Sequence, residues 1–389
     1  MTPAARSQAA IELLDEVISA ARGGGAAADT LIARYFATRR YAGSKDRRAV
    51  RELVYAAIRR AGEIPASGRA ALLAVAFDDP AIAATFDGST HGPVPIDPQD
   101  HAAAGGIMPA WLAAALTRSG VSTEQQAALI DRAPLDVRIN RAHADPATIE
   151  ALGGVPVPGL ADAIRLPSGT NIDGLAGQIE VQDAGSQIVS LAARAEPGQA
   201  IVDLCAGGGG KTLALAAAMR DSGKILATDI DRGRLSRLAP RAAKAGVSIV
   251  ETRLLDPNHE ADALSDWAAS ADCVLIDAPC SGTGTWRRNP EARWRLTPDR
   301  LAKFAAQQNH VLAVGAPLVR PGGALVYIVC SLLDAEGADQ IDAFLALHRD
   351  WVAEPLELPA GTPRGRGLRL DPLQHGTDGF FVARLTRPC

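Results

Sequence analysis

The sequence predicts an α/β fold: a doubly wound domain in its second half, preceded by an all-helical segment and a small α+β unit. Three observations carry this. From about residue 180, short apolar runs at 200–204, 224–229, 248–251, 272–277 and 323–330 alternate with helical ones. These runs are apolar at nearly every position, as strands buried on both faces of a parallel sheet are. The first of them breaks into four glycines, Gly207 to Gly210, followed at once by a helix-forming run from Leu213 to Met219. Before residue 78, apolar residues recur only at helical spacing.

A chain of 389 residues is too long for one ordinary core. With 47% apolar and 22% charged residues it reads as soluble and globular. The net charge of −4 hides a basic cluster at Arg39, Arg40, Lys45, Arg47, Arg48, Arg51, Arg59 and Arg60. Such a patch suits nucleic acid, although a solvated helical face is the blander reading. The five cysteines, Cys205, Cys273, Cys280, Cys330 and Cys389, form no CxxC pair. No cluster has metal-ligand spacing, so no metal is expected. The first ten residues lack the apolar core of a signal peptide, and no run is long enough to span a bilayer. A cytoplasmic protein with free thiols is the expectation.

In chain order, helices are expected at 4–22, 27–37, 46–60 and 67–77, making residues 1–78 a helical domain. Residues 79–106, with Pro80, Pro93, Pro95, Pro98, Gly105 and Gly106, read as a linker. Residues 107–178 read as the α+β unit: helical patterning over 108–132, a strand at Leu135–Asn140, a short helix at 145–154 and a strand at 161–169. The doubly wound domain takes 179–389, with helices at 187–195, 211–221, 232–245, 298–318 and 335–348.

Ligands of such domains bind at the carboxyl ends of the strands. The glycine loop fails the dinucleotide pattern GxGxxG, because Thr212 or Leu213 stands where the last glycine belongs. Gly210-Lys211-Thr212 matches the end of a phosphate loop, but Cys205 stands at its first glycine. That near-miss, with the acid strand VLIDA (274–278), keeps a nucleotide-binding NTPase as a competing reading. Asp229 lies about 20 residues past the glycines, where an acid meets ribose hydroxyls; Asp231 is the better helix cap. Acids following the second, third and fourth strands, Asp229, Asp256 and Asp277, suit a ligand with ribose, adenine and a cationic centre: S-adenosylmethionine. Its cradle is expected from Cys205, Ala206, Gly207, Gly208, Gly209, Gly210 and Lys211.

The fourth strand runs into DAPCSGTG, carrying Asp277 and Cys280, and the fifth ends at Cys330. Cys273, inside its strand, reads as a small buried hydrophobe. Trp286, Arg287, Arg288, Arg293, Trp294 and Arg295 suggest a basic, aromatic loop that holds phosphates and stacks bases. Trp294 reads equally well as a core residue. Arg364, Arg366 and Arg369 form a second basic loop, read either as a flexible RNA clamp or as a disordered hairpin.

These stretches carry a resemblance. Residues 180–389 resemble the RsmB/NOP2/Sun family of RNA 5-methylcytosine methyltransferases. The matches are VQDAGSQ (181–187), DLCAGGGGKT (203–212), DIDRGRL (229–235), LIDAPCSGTG (275–284), WRRNPEARW (286–294), VYIVCSL (326–332) and HGTDGFFVARL (375–385). Upstream, Arg6 to Arg60 resembles the NusB-like helical domain of the bacterial rRNA-modifying branch, and RAPLDVRIN (132–140) the start of the family's small RNA-binding domain. The resemblance implies a Rossmann-like methyltransferase domain and a monomer that uses S-adenosylmethionine to methylate C5 of cytosine in RNA. Ribosomal RNA of the 16S type is the first substrate; transfer RNA, or a non-catalytic RNA-binding role, is the alternative. It further implies Cys330 as nucleophile, Cys280 as an aid to release, Asp277 on the base near N3, and Lys211 holding Asp277 or the base. Spacing alone does not distinguish the two cysteines. The family usually has Ala-Pro-Gly-Gly-Lys where this chain has Gly207-Gly208-Gly209-Gly210-Lys211, an expected loss of loop rigidity and cofactor affinity. Ile328-Val329 likewise replaces a common Ser-Thr.

Overall fold

The computed structural model describes residues 1–389 and divides into two compact units, Met1–Arg132 with Thr285–Thr297, and Ala133–Gly284 with Pro298–Cys389. No helix is long and apolar enough to cross a membrane.

The first unit is helical. Pro3–Gly23, Ala28–Ala37, Ser44–Arg60 and Gly68–Ala76 pack through Leu13, Leu14, Val17, Val50, Val54, Ile58 and Leu72. The first helix starts where Thr2 accepts from the Ala5 N–H and Pro3 presets the first turn; it stops at Gly24, at φ 77°. The stretch 79–106 is not a free linker. It contains a one-turn helix, Pro80–Ala83, buries Phe86, and packs Ile82, Ile96 and Ala102 on the same core. Arg69 fastens it through Asp100 and the carbonyls of Val94 and Pro95. The helices Ala110–Arg118 and Thr123–Ala128, expected with the α+β unit, fall in this first unit as well.

The second unit holds two sheets. A small antiparallel one comprises β1 (Leu135–Ile139), β2 (Val155–Pro156), β3 (Ala163–Leu166) and β4 (Ile179–Val181), in the order β2-β3-β1-β4. The large one has β5 (Ala200–Asp203), β6 (Lys224–Asp229), β7 (Val250–Leu254), β8 (Ala271–Asp277) and β9 (Val319–Val329) in parallel. Antiparallel additions follow: β10 (Val352–Glu354), β11 (Thr362–Arg364), β12 (Gly367–Leu370) and β13 (Phe380–Thr386). The order is β11-β12-β13-β9-β8-β5-β6-β7, with β10 on β13. Alternate residues of the central strands feed separate cores. Val202, Leu226, Val274 and Ile276 lie in one; Ile201, Ile225, Cys273 and Leu275 in the other. That is why these strands are apolar at nearly every position.

Three local differences from the sequence reading have identifiable causes. The third strand begins at Val250 rather than 248, because Ser248 is engaged by the Asp221 carboxylate. The helix over 232–245 is two, Arg232–Leu235 and Leu238–Lys244: Pro240 lacks an N–H and is tolerated only in a first turn. The basic stretch at 362–370 is an ordered hairpin of β11 and β12. Arg364 and Arg369 both bind Asp334, and Arg366 binds Asp342, so these cations are engaged within the fold rather than presented as a flexible clamp.

Candidate active site

The order in which strands are added reverses between the parallel neighbours β5 and β8, which puts a crevice at their carboxyl ends. β5 ends at Asp203, and the loop from Leu204 to Gly209 leads into the helix Gly210–Ala218. The loop is folded by its glycines. Gly207 has φ 56° and Gly209 φ 86°, and a Cβ on Gly209 would sit 2.1 Å from Leu238 Cδ1. Gly207 and Gly208 occupy the places of the family's Ala-Pro, and the backbone uses the first of these substitutions by turning left-handed there. The N–H groups of Gly210, Lys211 and Thr212 open the helix without intrahelical partners, a terminus suited to polar ligand groups.

Asp229, at the end of β6, supports this loop. One carboxylate oxygen accepts the Gly207 N–H at 2.8 Å, the other the Asp231 N–H at 2.8 Å. Each oxygen retains a lone pair, as a ribose hydroxyl needs. Asp231 caps the following helix through the Arg234 N–H, so Asp229 is not spent on that task. Ala206 is buried, and Cys205 is half-buried with its thiol pushed up by burial and by the Asp229 charge. The Ala206 N–H donates to the Thr228 carbonyl at 2.8 Å and its carbonyl accepts the Gly209 N–H at 2.9 Å, which fixes the start of the loop. Asp256 is exposed on the loop after β7.

At the end of β8, Asp277 Oδ2 lies 2.7 Å from Lys211 Nζ. Lys211 is 8% exposed, and its ammonium also faces the Phe380 ring at 5.5 Å. Burial works against this cation. The attraction and hydrogen bond of Asp277 outweigh it, and the ammonium is held above its usual range. Asp203 is fully buried beneath the pair; it accepts the Thr212 hydroxyl at 2.6 Å while its other oxygen has no partner.

The loops after β8 and β9 bring Cys280 and Cys330 together, with Sγ to Sγ 3.3 Å. β8 and β9 are paired from Cys273–Ala324 to Asp277–Ile328, and the Gly284 N–H donates to the Cys330 carbonyl at 3.0 Å. Sheet register therefore sets the meeting of two residues 50 positions apart. Contact with Cys330 and burial push the Cys280 thiol well above its ordinary range, as does the negative charge of Glu336.

The sequence pattern of the family described as 16S rRNA methyltransferase RsmB/F matches residues 190–386. This chain belongs to that family. Among its curated relatives, the probable ribosomal RNA small subunit methyltransferase B of Synechocystis is 37% identical over 248 residues, covering 62% of this chain and 54% of that one. The ribosomal RNA small subunit methyltransferase B of Thermus thermophilus is 36% identical over 233 residues, covering 60% and 55%. The chain thus matches little more than half the length of these relatives. A methyltransferase homologue from Pyrococcus horikoshii, solved by crystallography, superposes with a TM-score of 0.58 at 26% identity, covering 72% of this chain and all of that one.

For an RsmB/F methyltransferase the cofactor is S-adenosylmethionine, and the residues fit it. Asp229 and Asp277 suit a ribose and a cationic centre, and the Gly209 turn would be filled by any side chain. A phosphate group does not fit. Lys211 is already neutralised by Asp277, and the carboxylates of Asp229 and Asp277 would repel a polyanion at this loop.

The expected RNA-binding segment needs correction. Arg293 is fully buried, giving its guanidinium to the carbonyls of Ile58, Ala61 and Pro290. Trp294 is 3% exposed in the helical core, its N–H on the Ala61 carbonyl at 3.1 Å. Arg287 is buried against the Arg132 carbonyl. These side chains hold the first unit together and offer no face to RNA; Arg288 alone of the four is half-exposed. Sequence reasoning missed Asp203 and Glu336. The first was visible as the acid of the opening strand. The second had no local signal.

Proposed function

We propose that this protein methylates C5 of cytosine in RNA, with 16S ribosomal RNA as the first substrate, through a covalent cysteine adduct at C6. The observation that carries the reading is the pair of thiols, Cys280 and Cys330, 3.3 Å apart next to the Lys211–Asp277 pair. The curated relatives named as small subunit methyltransferases support the substrate class. When bound, S-adenosylmethionine supplies an electrophilic methyl group.

Cys330 is the nucleophile. That role is the one the family resemblance implies; Cys280, whose thiol is pushed up by its contact with Cys330 and by burial, is the second thiol. The Cys330 thiolate forms a bond to C6, and the C5–C6 electron pair makes C5 nucleophilic. Asp277, fixed by Lys211, faces the base edge near N3, where a proton shared between Asp277 and N3 offsets the negative charge that thiolate addition brings into the ring. After C5 has gained its substituent, the C5 proton passes to water, its electron pair restores the C5–C6 double bond, and the Cys330 thiolate leaves C6; Cys280 is placed to assist that release. The base must leave its stack to reach the crevice. Exposed Arg40, Lys45 and Arg48, together with Tyr41 at 72% exposure, form the cationic and aromatic surface proposed to hold RNA on the helical unit.

A trapping experiment tests this. RNA carrying 5-fluorocytosine lacks a removable proton at C5, so with S-adenosylmethionine the enzyme is expected to stall as a covalent complex on a denaturing gel. The complex should persist in Cys280→Ala and vanish in Cys330→Ala. Loss only in Cys280→Ala would exchange the roles, and no complex with ribosomal RNA would sink the reading.

A further inference from the structure

Glu336 is fully buried on the 3-10 turn Asp334–Glu336, and no Lys, Arg or His pairs with it. A buried carboxylate without a cation is costly unless donors saturate it. Here they do, and they come from both cysteine loops. Oε1 accepts the Ser281 N–H at 2.8 Å and Gln308 Nε2 at 3.1 Å. Oε2 accepts the Ser281 hydroxyl and, at 2.5 Å, the Ser331 hydroxyl. Ser281 follows Cys280 and Ser331 follows Cys330. Gln308 also donates to the carbonyl of Pro279, just before Cys280, at 2.9 Å. The Tyr327 hydroxyl fixes the turn by donating to the Glu336 carbonyl at 2.6 Å.

We propose that Glu336 is a positioning residue that clamps the two cysteine loops together and so sets the approach of the Cys280 and Cys330 thiols. It touches neither substrate nor cofactor and acts through the residue next to each sulfur. Its negative charge also pushes the Cys280 thiol up, after the contact with Cys330 and burial. The catalytic consequence rests on the proposed cytosine chemistry; the clamp itself does not.

The test uses the full chain as E336Q, with S281A as a milder variant that removes one hydroxyl. Thiol approach is read without RNA, by mass spectrometry of Cys280–Cys330 disulfide formation under diamide. Diamide takes up the two protons and two electrons released as the S–S bond forms. E336Q places an amide donor against donors and is expected to slow this closure by about tenfold or more, as a shift of one ångström in a reacting pair does. S281A should fall between E336Q and wild type. Trapping on 5-fluorocytosine RNA should slow in the same order, while S-adenosylhomocysteine affinity stays within about twofold. Unchanged disulfide closure in both variants would overturn the proposal, and so would a parallel collapse of cofactor affinity, which marks a general folding role. Slowed closure in a protein whose wild type traps no RNA would uphold the clamp and sink only the methylation reading.

Discussion

Asp203 shows how one buried group shapes stability. Burial first, then the nearby Asp277 charge, push its carboxyl up to about 7, against the hydrogen bond from Thr212. In the unfolded chain the same group titrates near ~4. Between those values the folded state binds more protons, so stability contributed by Asp203 is present at low pH and falls as pH rises through the window. At about 1.4 kcal/mol per unit, the loss approaches about 4 kcal/mol by neutral pH. Asp203→Asn retains an acceptor for Thr212 and cannot ionise. Urea unfolding should find it about 2–4 kcal/mol more stable than wild type at pH 8, with the difference closing near pH 4. A difference independent of pH would refute this account. At the same scale, Lys211 is the cation that makes the neighbouring Asp277 tolerable. Lys211→Met should abolish trapping more completely than it lowers the melting temperature, because Asp277 remains partly solvated.

At the scale of elements, the strand–loop–helix around Gly207–Gly210 divides its glycines into those the backbone requires and those it does not. Gly209 is left-handed with Leu238 against it, whereas a Cβ on Gly208 meets only the flexible Arg241 guanidinium at 3.3 Å. Gly209→Ala should therefore weaken S-adenosylmethionine binding by about tenfold or more, and Gly208→Ala by less than about threefold, by calorimetry. Equal effects would mean that the loop is not held in the described turn. The elements of this region were legible in the sequence for a physical reason: a strand buried on both faces leaves an unbroken apolar run, and its end is where glycine and acid concentrate. Their pairing is written in no local pattern: that β8 lies beside β9, and hence Cys280 beside Cys330, follows from the strand order expected of a doubly wound sheet. The Glu336 clamp was invisible because its donors lie 5, 28 and 55 residues away. The proline-rich stretch 79–106 looked like a linker because its apolar contacts follow no period.

The whole molecule is interleaved in a way the sequence hides. Thr285–Thr297 follows the cysteine loop in the chain yet belongs to the helical unit. WRRNPEARW has the composition of a solvated surface, and only the fold reveals a guanidinium sunk among carbonyls. Arg293 caps the end of Ser44–Arg60, satisfying carbonyls that a helix terminus leaves open, and Glu291 accepts the Ala28 N–H at 3.0 Å at the start of another helix. Residues 1–132 alone would lack both caps and leave a hole where Trp294 sits in the core. A fragment of residues 1–132 should accordingly be less stable than the same helices in the full chain, by about 3 kcal/mol or more. The missing piece should also bind in trans. A labelled peptide of residues 285–297 is expected to dock on the fragment with Kd on the order of 10 μM and raise its melting temperature, because one buried indole and its hydrogen bonds must offset the ordering of a short chain. Peptides with Trp294→Ala or Arg293→Ala should not bind by fluorescence anisotropy. If those peptides bind as well as the native one, the segment is a passenger on the helical unit rather than part of its core.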